Sequence, residues 1–329
     1  MNDRRKFVVA LGAGALAAPL RAFAQQGKVW RIGYLDYGSR QSTVDSGRHA
    51  ALMEGLRERG YVEGRNFVLE ARYADGNADR LNGLAAELVR QKVDLIVSTG
   101  TPASHAAQRA TATVPIVVTV TTDPVGDGFA ASLARPGGNI TGMSGGAEDT
   151  VQKLVELLMA AVPKLKRIAV LTNPASSTHA PQLLRIQAAA RQTGKQVLPM
   201  GARTPEEIER GFATMAHERV DAVIFLSDAF LFSQRTQIAG LALKHRLPSM
   251  YGSTGYAEVG GLLSYGSDTN DNFRRAGIFV DKVLKGAKPG ELPFEQPTRY
   301  YFVINRKTAN ALGIKLTDKL LLLADKVIE

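Results

Sequence analysis

The side chains best placed for chemistry are hydroxyls and carboxylates that follow short apolar runs. In Asp94-Leu-Ile-Val-Ser-Thr-Gly-Thr-Pro-Ala-Ser104 the apolar residues lead directly into Ser98, Thr99, Gly100 and Thr101, and Pro102 suits the first turn of a helix. Free amides at a helix start, with hydroxyls beside them, can hold an anion or a carboxylate. The plainer reading of the same stretch is a connection capped by Thr101. Thr121-Thr122-Asp123-Pro124 closes another apolar run in the same way and is expected to form a second ligand loop. Gly142-Met-Ser-Gly-Gly146 matches the G-x-S-x-G pattern of a hydrolase nucleophile, with Asp228 and His245 following in the order that a triad needs. Such a pattern also arises easily in a glycine-rich stretch, and His245 falls near the end of an expected helix, so catalysis by Ser144 is the alternative reading. The histidines include no i, i+4 pair and most are expected on helix surfaces, so no metal site is expected. No phosphate loop of the G-x-x-x-x-G-K type occurs and no cofactor is expected.

These loops need strands to carry them. Asp94 to Val97 is too short and too continuously apolar for a surface helix and reads as a buried parallel strand. Val93-Asp94-Leu-Ile-Val-Ser98 has an echo in Val220-Asp221-Ala-Val-Ile-Phe225, which runs into Ser227 and Asp228. Arg31-Ile-Gly-Tyr-Leu35 is echoed by Arg167-Ile-Ala-Val-Leu171, and Gly60 by Gly194, at offsets of 127 to 136 residues. Three echoes in one order predict two similar α/β lobes with parallel sheets, built from right-handed βαβ units, and a cleft between them. In open sheets of this kind the crevice lies beyond the carboxyl ends of the strands. Residues 126–146 hold seven glycines and no apolar periodicity, so the first crossing between lobes is expected around Thr141 to Ser144. Gly252, Gly255, Gly260 and Gly261 mark a second. The expected division is 25–143 with about 255–290 in the first lobe, and 144–254 with about 291–329 in the second.

The N-terminus reads as an export signal. Arg4-Arg5-Lys6 is a basic start, Phe7 to Leu20 an apolar stretch and Ala22-Phe23-Ala24 a cleavage site, so residues 1–24 are expected to be removed. The paired arginines suit a twin-arginine signal, with a Sec signal as the other route. No cysteine follows, so no lipid anchor is expected, and with no cysteine anywhere disulfides and thiol catalysis are excluded. Without Asp3, Arg4, Arg5, Lys6 and Arg21 the net charge falls from +10 to +7. That charge is scattered, without a basic run or interleaved aromatics, and no nucleic-acid partner is expected.

Arg31-Ile-Gly-Tyr-Leu35, Asp123-Pro124-Val125, Leu133-Ala-Arg-Pro-Gly-Gly-Asn-Ile-Thr-Gly142, Gly260-Gly-Leu-Leu-Ser-Tyr-Gly266 and the ending from Ile304 to Glu329 carry a resemblance. Over essentially all of the mature chain they look like ABC-transporter substrate-binding proteins of the tryptophan/tyrosine-binding type. The resemblance implies a type I periplasmic-binding fold, with two Rossmann-like lobes joined by hinge strands. It implies a periplasmic protein, expected as a monomer, that closes on a small ligand and passes it to a membrane permease. A sensor that presents ligand to a receptor is a further alternative. An amino acid in such a cleft needs donors for its carboxylate, an acid for its ammonium and a wall for its side chain. By position, Ser98 to Thr101 with Thr121 and Thr122 could supply the first, and Asp123, Asp228 or Glu258 the second. Tyr34, Tyr251, Tyr256 or Phe230 could wall the third, while Ser144, Asn173 and Ser227 complete the expected rim.

Overall fold

Short β-branched runs bounded by polar residues fold as parallel strands, and the helices between them cover both faces. The computed structural model describes residues 28–145 and 150–329. The export signal and Gly146, which ends the G-x-S-x-G pattern, lie outside the described residues, as does Asp149, where the following helix is expected to begin. The first sheet contains β1 (Trp30–Asp36), β2 (Phe67–Tyr73), β3 (Leu95–Thr99), β4 (Ile116–Thr121) and β5 (Ile140–Ser144), in the order β2-β1-β3-β4-β5. The second contains β6 (Arg167–Thr172), β7 (Gln196–Gly201), β8 (Ala222–Phe225), β9 (Ser249–Tyr251) and β10 (Leu263–Gly266), extended by β11 (Tyr301–Asn305) and β12 (Lys326–Ile328). Its order, β7-β6-β8-β9-β10-β11-β12, repeats the first sheet strand for strand before the extension. All pairings are parallel except β10 with β11.

Around the first sheet lie α1 (Arg40–Asp45), α2 (Arg48–Arg57), α3 (Arg80–Arg90) and α4 (Thr101–Ala110). The second lobe carries α5 (Thr150–Ala161), α6 (His179–Gln192), α7 (Pro205–His217), α8 (Ala229–Ser233), α9 (Arg235–Lys244) and α10 (Gly255–Glu258). Then come α11 (Thr269–Leu284), α12 (Arg306–Leu312) and α13 (Asp318–Leu322). Period-2 alternation sorts the core: Leu95 and Val97 join one apolar cluster with Leu52, Leu56, Phe273 and Phe279, while Ile96 faces the opposite cluster. Ile168 and Val170 alternate with Ala169 and Leu171 in the same way. Burial on both faces explains why these strands read as continuous apolar runs.

The helix α11 packs on α2 of the first lobe at a glycine contact. A Cβ on Gly55 would lie 1.9 Å from the Arg274 carbonyl oxygen, and one on Gly277 would lie 2.6 Å from the Gly55 backbone. The division of the chain differs from the expected one at α10 and β10, which join the second lobe, and at residues 292–295, which run against the first. Strand β10 belongs to the second sheet, although 255–290 is assigned to the first lobe by sequence, because Leu263 and Ser264 pair with Met250 and Tyr251 of β9. The second crossing therefore falls between Gly266 and Thr269, past the glycines expected to mark it. A third passage returns the chain along β5, where the Ser144 amide donates to the Glu295 carbonyl (2.8 Å), before β11 joins the second sheet.

Candidate functional site

Both sheets change strand order beside their first strand, and the carboxyl ends of β1, β3, β6 and β8 face one cavity of about 470 Å³ between the lobes. Gly100, at φ 78°, turns the chain from β3 into α4, and a Cβ there would meet the Ala229 Cβ of the other lobe at 3.2 Å. Glycine here allows the turn and the close approach together.

On the first-lobe side, Asp36 ends β1 opposite Thr99 of β3. Its Oδ2 accepts from the Tyr34 hydroxyl (2.7 Å) and the Thr43 hydroxyl (2.9 Å), and its Oδ1 accepts from the Gly38 amide (2.8 Å). Burial and the nearby Asp36 raise the Tyr34 phenol well above its ordinary range. The Thr101 and Thr121 hydroxyls both donate to Asp127 Oδ2, at 3.1 and 2.9 Å. Their protons are thereby committed, so toward the cavity they offer lone pairs. Arg48, the first residue of α2, also lines the cavity; burial pulls its guanidinium down to about 10, against the attraction of Asp36.

On the second-lobe side, the Asp228 carboxylate caps α8 through the Leu231 amide (3.0 Å) and accepts from Asn173 Nδ2 at 3.1 and 3.2 Å. Beneath it His179 is buried between two backbone groups. Nδ1 accepts from the Asn173 amide (2.8 Å), and Nε2 lies 3.1 Å from the Ser227 carbonyl. Those partners fix the neutral Nε2–H tautomer. Burial lowers the His179 pKa, a pull that outweighs Asp228 and the two backbone bonds. His179 thus departs from the expected surface histidine: it ties the loop after β6 to the loop after β8.

The two rims touch. Ser177 donates to Asp127 Oδ1 at 2.6 Å, and Arg235 Nη1 donates to the Ser42 hydroxyl at 2.9 Å. The Arg48 guanidinium lies 3.8 Å from the centre of the Phe232 ring. Burial first, and then Asp228 across the cleft, pushes the Tyr37 phenol up to about 12. Groups from opposite lobes at these distances define a closed arrangement.

Of the residues expected at the site, Thr99, Gly100, Thr101, Thr121, Thr122, Asn173, Ser227, Asp228 and Phe230 line this cavity. The others lie elsewhere, each for a physical reason. Tyr34 is fully buried under the floor, holding Asp36. The Ser98 hydroxyl pairs with Ser104 at 2.8 Å inside the first lobe. Asp123 accepts from the amides of Val125 and Gly126 and lines a smaller neighbouring cavity of about 130 Å³. Ser144 is an extended, buried strand residue of β5 paired with Thr121, without the exposed turn that a nucleophile elbow requires. His245 stacks on Phe212 (5.7 Å), and Asp228 is engaged with Asn173, so the three residues of the supposed triad have separate partners.

Tyr251 and Tyr256 stack on each other (4.3 Å, 11°) within the second-lobe core, with Phe225 beyond Tyr251 and Phe232 edge-on to Tyr256. They support the wall without lining it. Glu258 pairs on the surface with Lys326 (3.3 Å). Asp36, Tyr37, Arg48, His105, Ser177, Phe232 and Asp127 are among the site residues that sequence reasoning missed, and Asp127 acts from behind Thr101 and Thr121. Asp36 carried a usable signal, since it ends β1 as Thr99 ends β3; Arg48 and Asp127 carried none.

Comparison with known proteins agrees with this architecture. The family model for ABC transporter substrate binding proteins matches residues 43–328. A tyrosine-binding protein of Clostridioides difficile (strain R20291) is 27% identical over 263 residues, covering 80% of this chain and 75% of that protein. The solved ABC domain from Streptococcus pneumonia in complex with L-Trp is 29% identical, with a TM-score of 0.84, over 92% of this chain and all of that one. A substrate binding protein with adhesive properties from Clostridium difficile, solved in a ligand-free, open form, is 24% identical. It has a TM-score of 0.66 over 91% of this chain and 99% of that one.

Proposed function

The chain belongs to the family of ABC transporter substrate binding proteins and has a solute-binding role; from that premise we propose that its ligand is an amino acid with an aromatic side chain, held in the cavity between the closed lobes. The cavity carries the reading: about 470 Å³, within the range of roughly 300–1,000 Å³ usual for small-molecule sites, with groups from both lobes on its walls. Asp228 and the lone pairs of Thr101 and Thr121 suit an ammonium group, and Tyr37, Phe230 and Phe232 supply apolar wall for a ring. The ligands named for the tyrosine-binding relative and for the L-Trp complex support an aromatic amino acid. Ligand shifts the balance toward the closed form only if it binds that form more tightly than the open one, and contacts drawn from both rims provide that difference.

In this reading the protein works outside the cytoplasm, as a monomer that delivers its solute to a permease, after removal of residues 1–24. Among the described residues no helix is long and apolar enough to cross a membrane. The test is a thermal-shift series on residues 25–329 with the twenty amino acids, related aromatic acids and sugars. A ligand at 100 times its Kd adds about 2.7 kcal/mol to the native state, which moves the midpoint by a few degrees. Stabilisation by L-tyrosine or L-tryptophan supports the assignment. Stabilisation by sugars alone refutes it.

A further inference from the structure

The cation Arg48 has an unusual setting. Its Nε is enclosed without a hydrogen-bond partner, and among the described residues no carboxylate pairs with it. One face of its guanidinium is covered by Phe232 from the second lobe (3.8 Å). A second guanidinium, that of Arg235 on the second lobe, lies 4.6 Å from the same ring. Arg235 binds the Ser42 hydroxyl and the Phe232 carbonyl, both neutral. Closing the lobes therefore gathers two like charges around one aromatic ring, one from each lobe, and among the described residues no carboxylate forms an ion pair with either, Asp45 and Glu258 attracting Arg235 only through space. Asp36 attracts Arg48 through space, but its own oxygens already accept from Tyr34, Thr43 and Gly38.

Repulsion between like charges in a partly desolvated place opposes closure unless an anion enters. The planar fork of an arginine fits a carboxylate through two parallel N–H donors. Two of the hydroxyls expected from the sequence are unsuited to this task, because the Thr101 and Thr121 protons are held by Asp127, and Pro102 has no amide hydrogen to give.

We propose that Arg48 receives the carboxylate of the ligand and that this anion makes closure permissible by neutralising the Arg48–Arg235 pair on Phe232. The proposal rests on the solute-binding reading and deepens it. The site selects acids over their amides and orients an amino acid with its carboxylate toward α2 and its ammonium toward Asp228, Thr101 and Thr121. Binding and closure are then read by one residue of the first lobe, and Phe232 carries that event to the second.

The test is calorimetry on residues 25–329 with L-tryptophan, L-tyrosine and the carboxamide of each, together with small-angle scattering with and without ligand. The wild type is expected to prefer each acid over its amide by at least about 100-fold, the scale set by pairing one buried charge. Arg48→Gln is expected to lose most of that preference by weakening the acid and not the amide, and to let the ligand-free lobes draw together. Arg48→Lys, which keeps the charge but not the fork, should fall between them. A far-UV spectrum and melting midpoint establish that each variant is folded, and Arg48→Lys serves if the glutamine variant is not. Equal acid preference in wild type and variants overturns the proposal while leaving solute binding intact. If instead a broader screen finds only a ligand without an anionic group, the proposal is overturned in the same way. If nothing binds to the wild type, both the proposal and the solute assignment on which it rests are overturned.

Discussion

The two lobes are alike at their floors and unlike at their rims. At the floor, Asp94 Oδ2 accepts from the Arg31 amide and Asp221 Oδ2 from the Arg167 amide, both at 2.8 Å. In return the Asp94 amide donates to the Arg31 carbonyl and the Asp221 amide to the Arg167 carbonyl. Gly60 and Gly194, both at positive φ, precede the second strand of each sheet. At the rim, Thr99-Gly100-Thr101 of the first lobe faces Leu226-Ser227-Asp228 of the second, and the first side brings a cation where the second brings a carboxylate. The repeated part holds the chain in a sheet. The part that differs holds the solute. The lobes differ again in their late segments, because the first receives the helix α11 against α2 and the second receives β11 and β12 at the edge of its sheet.

The largest expected effect breaks that last difference. Gly55→Val drives a side chain into the Arg274 backbone and should cost about 3 kcal/mol or more, by urea unfolding. Gly211→Ala, on α7 of the second lobe, meets only ordinary contacts at 3.5 Å from Leu171. It should be neutral or stabilising by up to about 1 kcal/mol through helix propensity. Equal costs in the two lobes would show that the glycine contact between α2 and α11 is not distinctive.

Next come the floors. Asp94→Ala and Asp221→Ala should each lose about 1–2 kcal/mol, add within error when combined, and leave ligand affinity unchanged in calorimetry. A large effect from one and none from the other would mean that the repeat is only apparent.

The rim contacts follow. Ser177→Ala removes a bond between the lobes and should weaken ligand binding about 5-fold with little change in the melting midpoint without ligand. Scattering at a subsaturating ligand concentration should report a larger radius than for the wild type, and an unchanged radius would count against the bond as a latch.

The smallest effect is a slope with pH. Because burial lowers the His179 pKa in the folded chain, the unfolded chain binds the extra proton first. The contribution of neutral His179 is fully present above the unfolded value of about 6.5 and is lost as pH falls from there through the folded value. His179→Gln should flatten stability against pH in that window, measured by melting at pH 7.5, 6.5 and 5.5. Among the described residues of the first lobe no histidine is buried in this way, and the carboxylate of Asp36 lies beneath that rim instead.

The lobes could be read from the sequence because their evidence is local. Val93-Asp94 and Val220-Asp221 enter strands, and the aspartate is retained by a contact only a few ångströms away. Thr99 to Thr101 and Asn173, Ser227 and Asp228 could be placed by the rule that ligands gather at strand ends. Tyr251 and Tyr256 could not be sorted from wall residues, since a tyrosine in a stacked core and one facing a cleft look the same in one dimension. Glu258 was ambiguous in the same way, its partner Lys326 lying at the far end of the chain. Arg48 stood out least of all, being one arginine at the start of an ordinary helix. Its meaning comes from Phe232, a residue on the opposite lobe that reaches it only when the two rims meet.

The three passages between the lobes have a consequence for inheritance. The coding order runs through the first lobe, the second, back to α11 and then to β11 and β12, so no single cut in the gene releases either half whole. A fragment stopping at Gly266 would lack the helix that covers the Gly55 face of one half and the strand that seals β10 in the other. Shuffling cannot trade one jaw for another as a cassette, and a change of solute must arise by substitutions in both, fixed side by side.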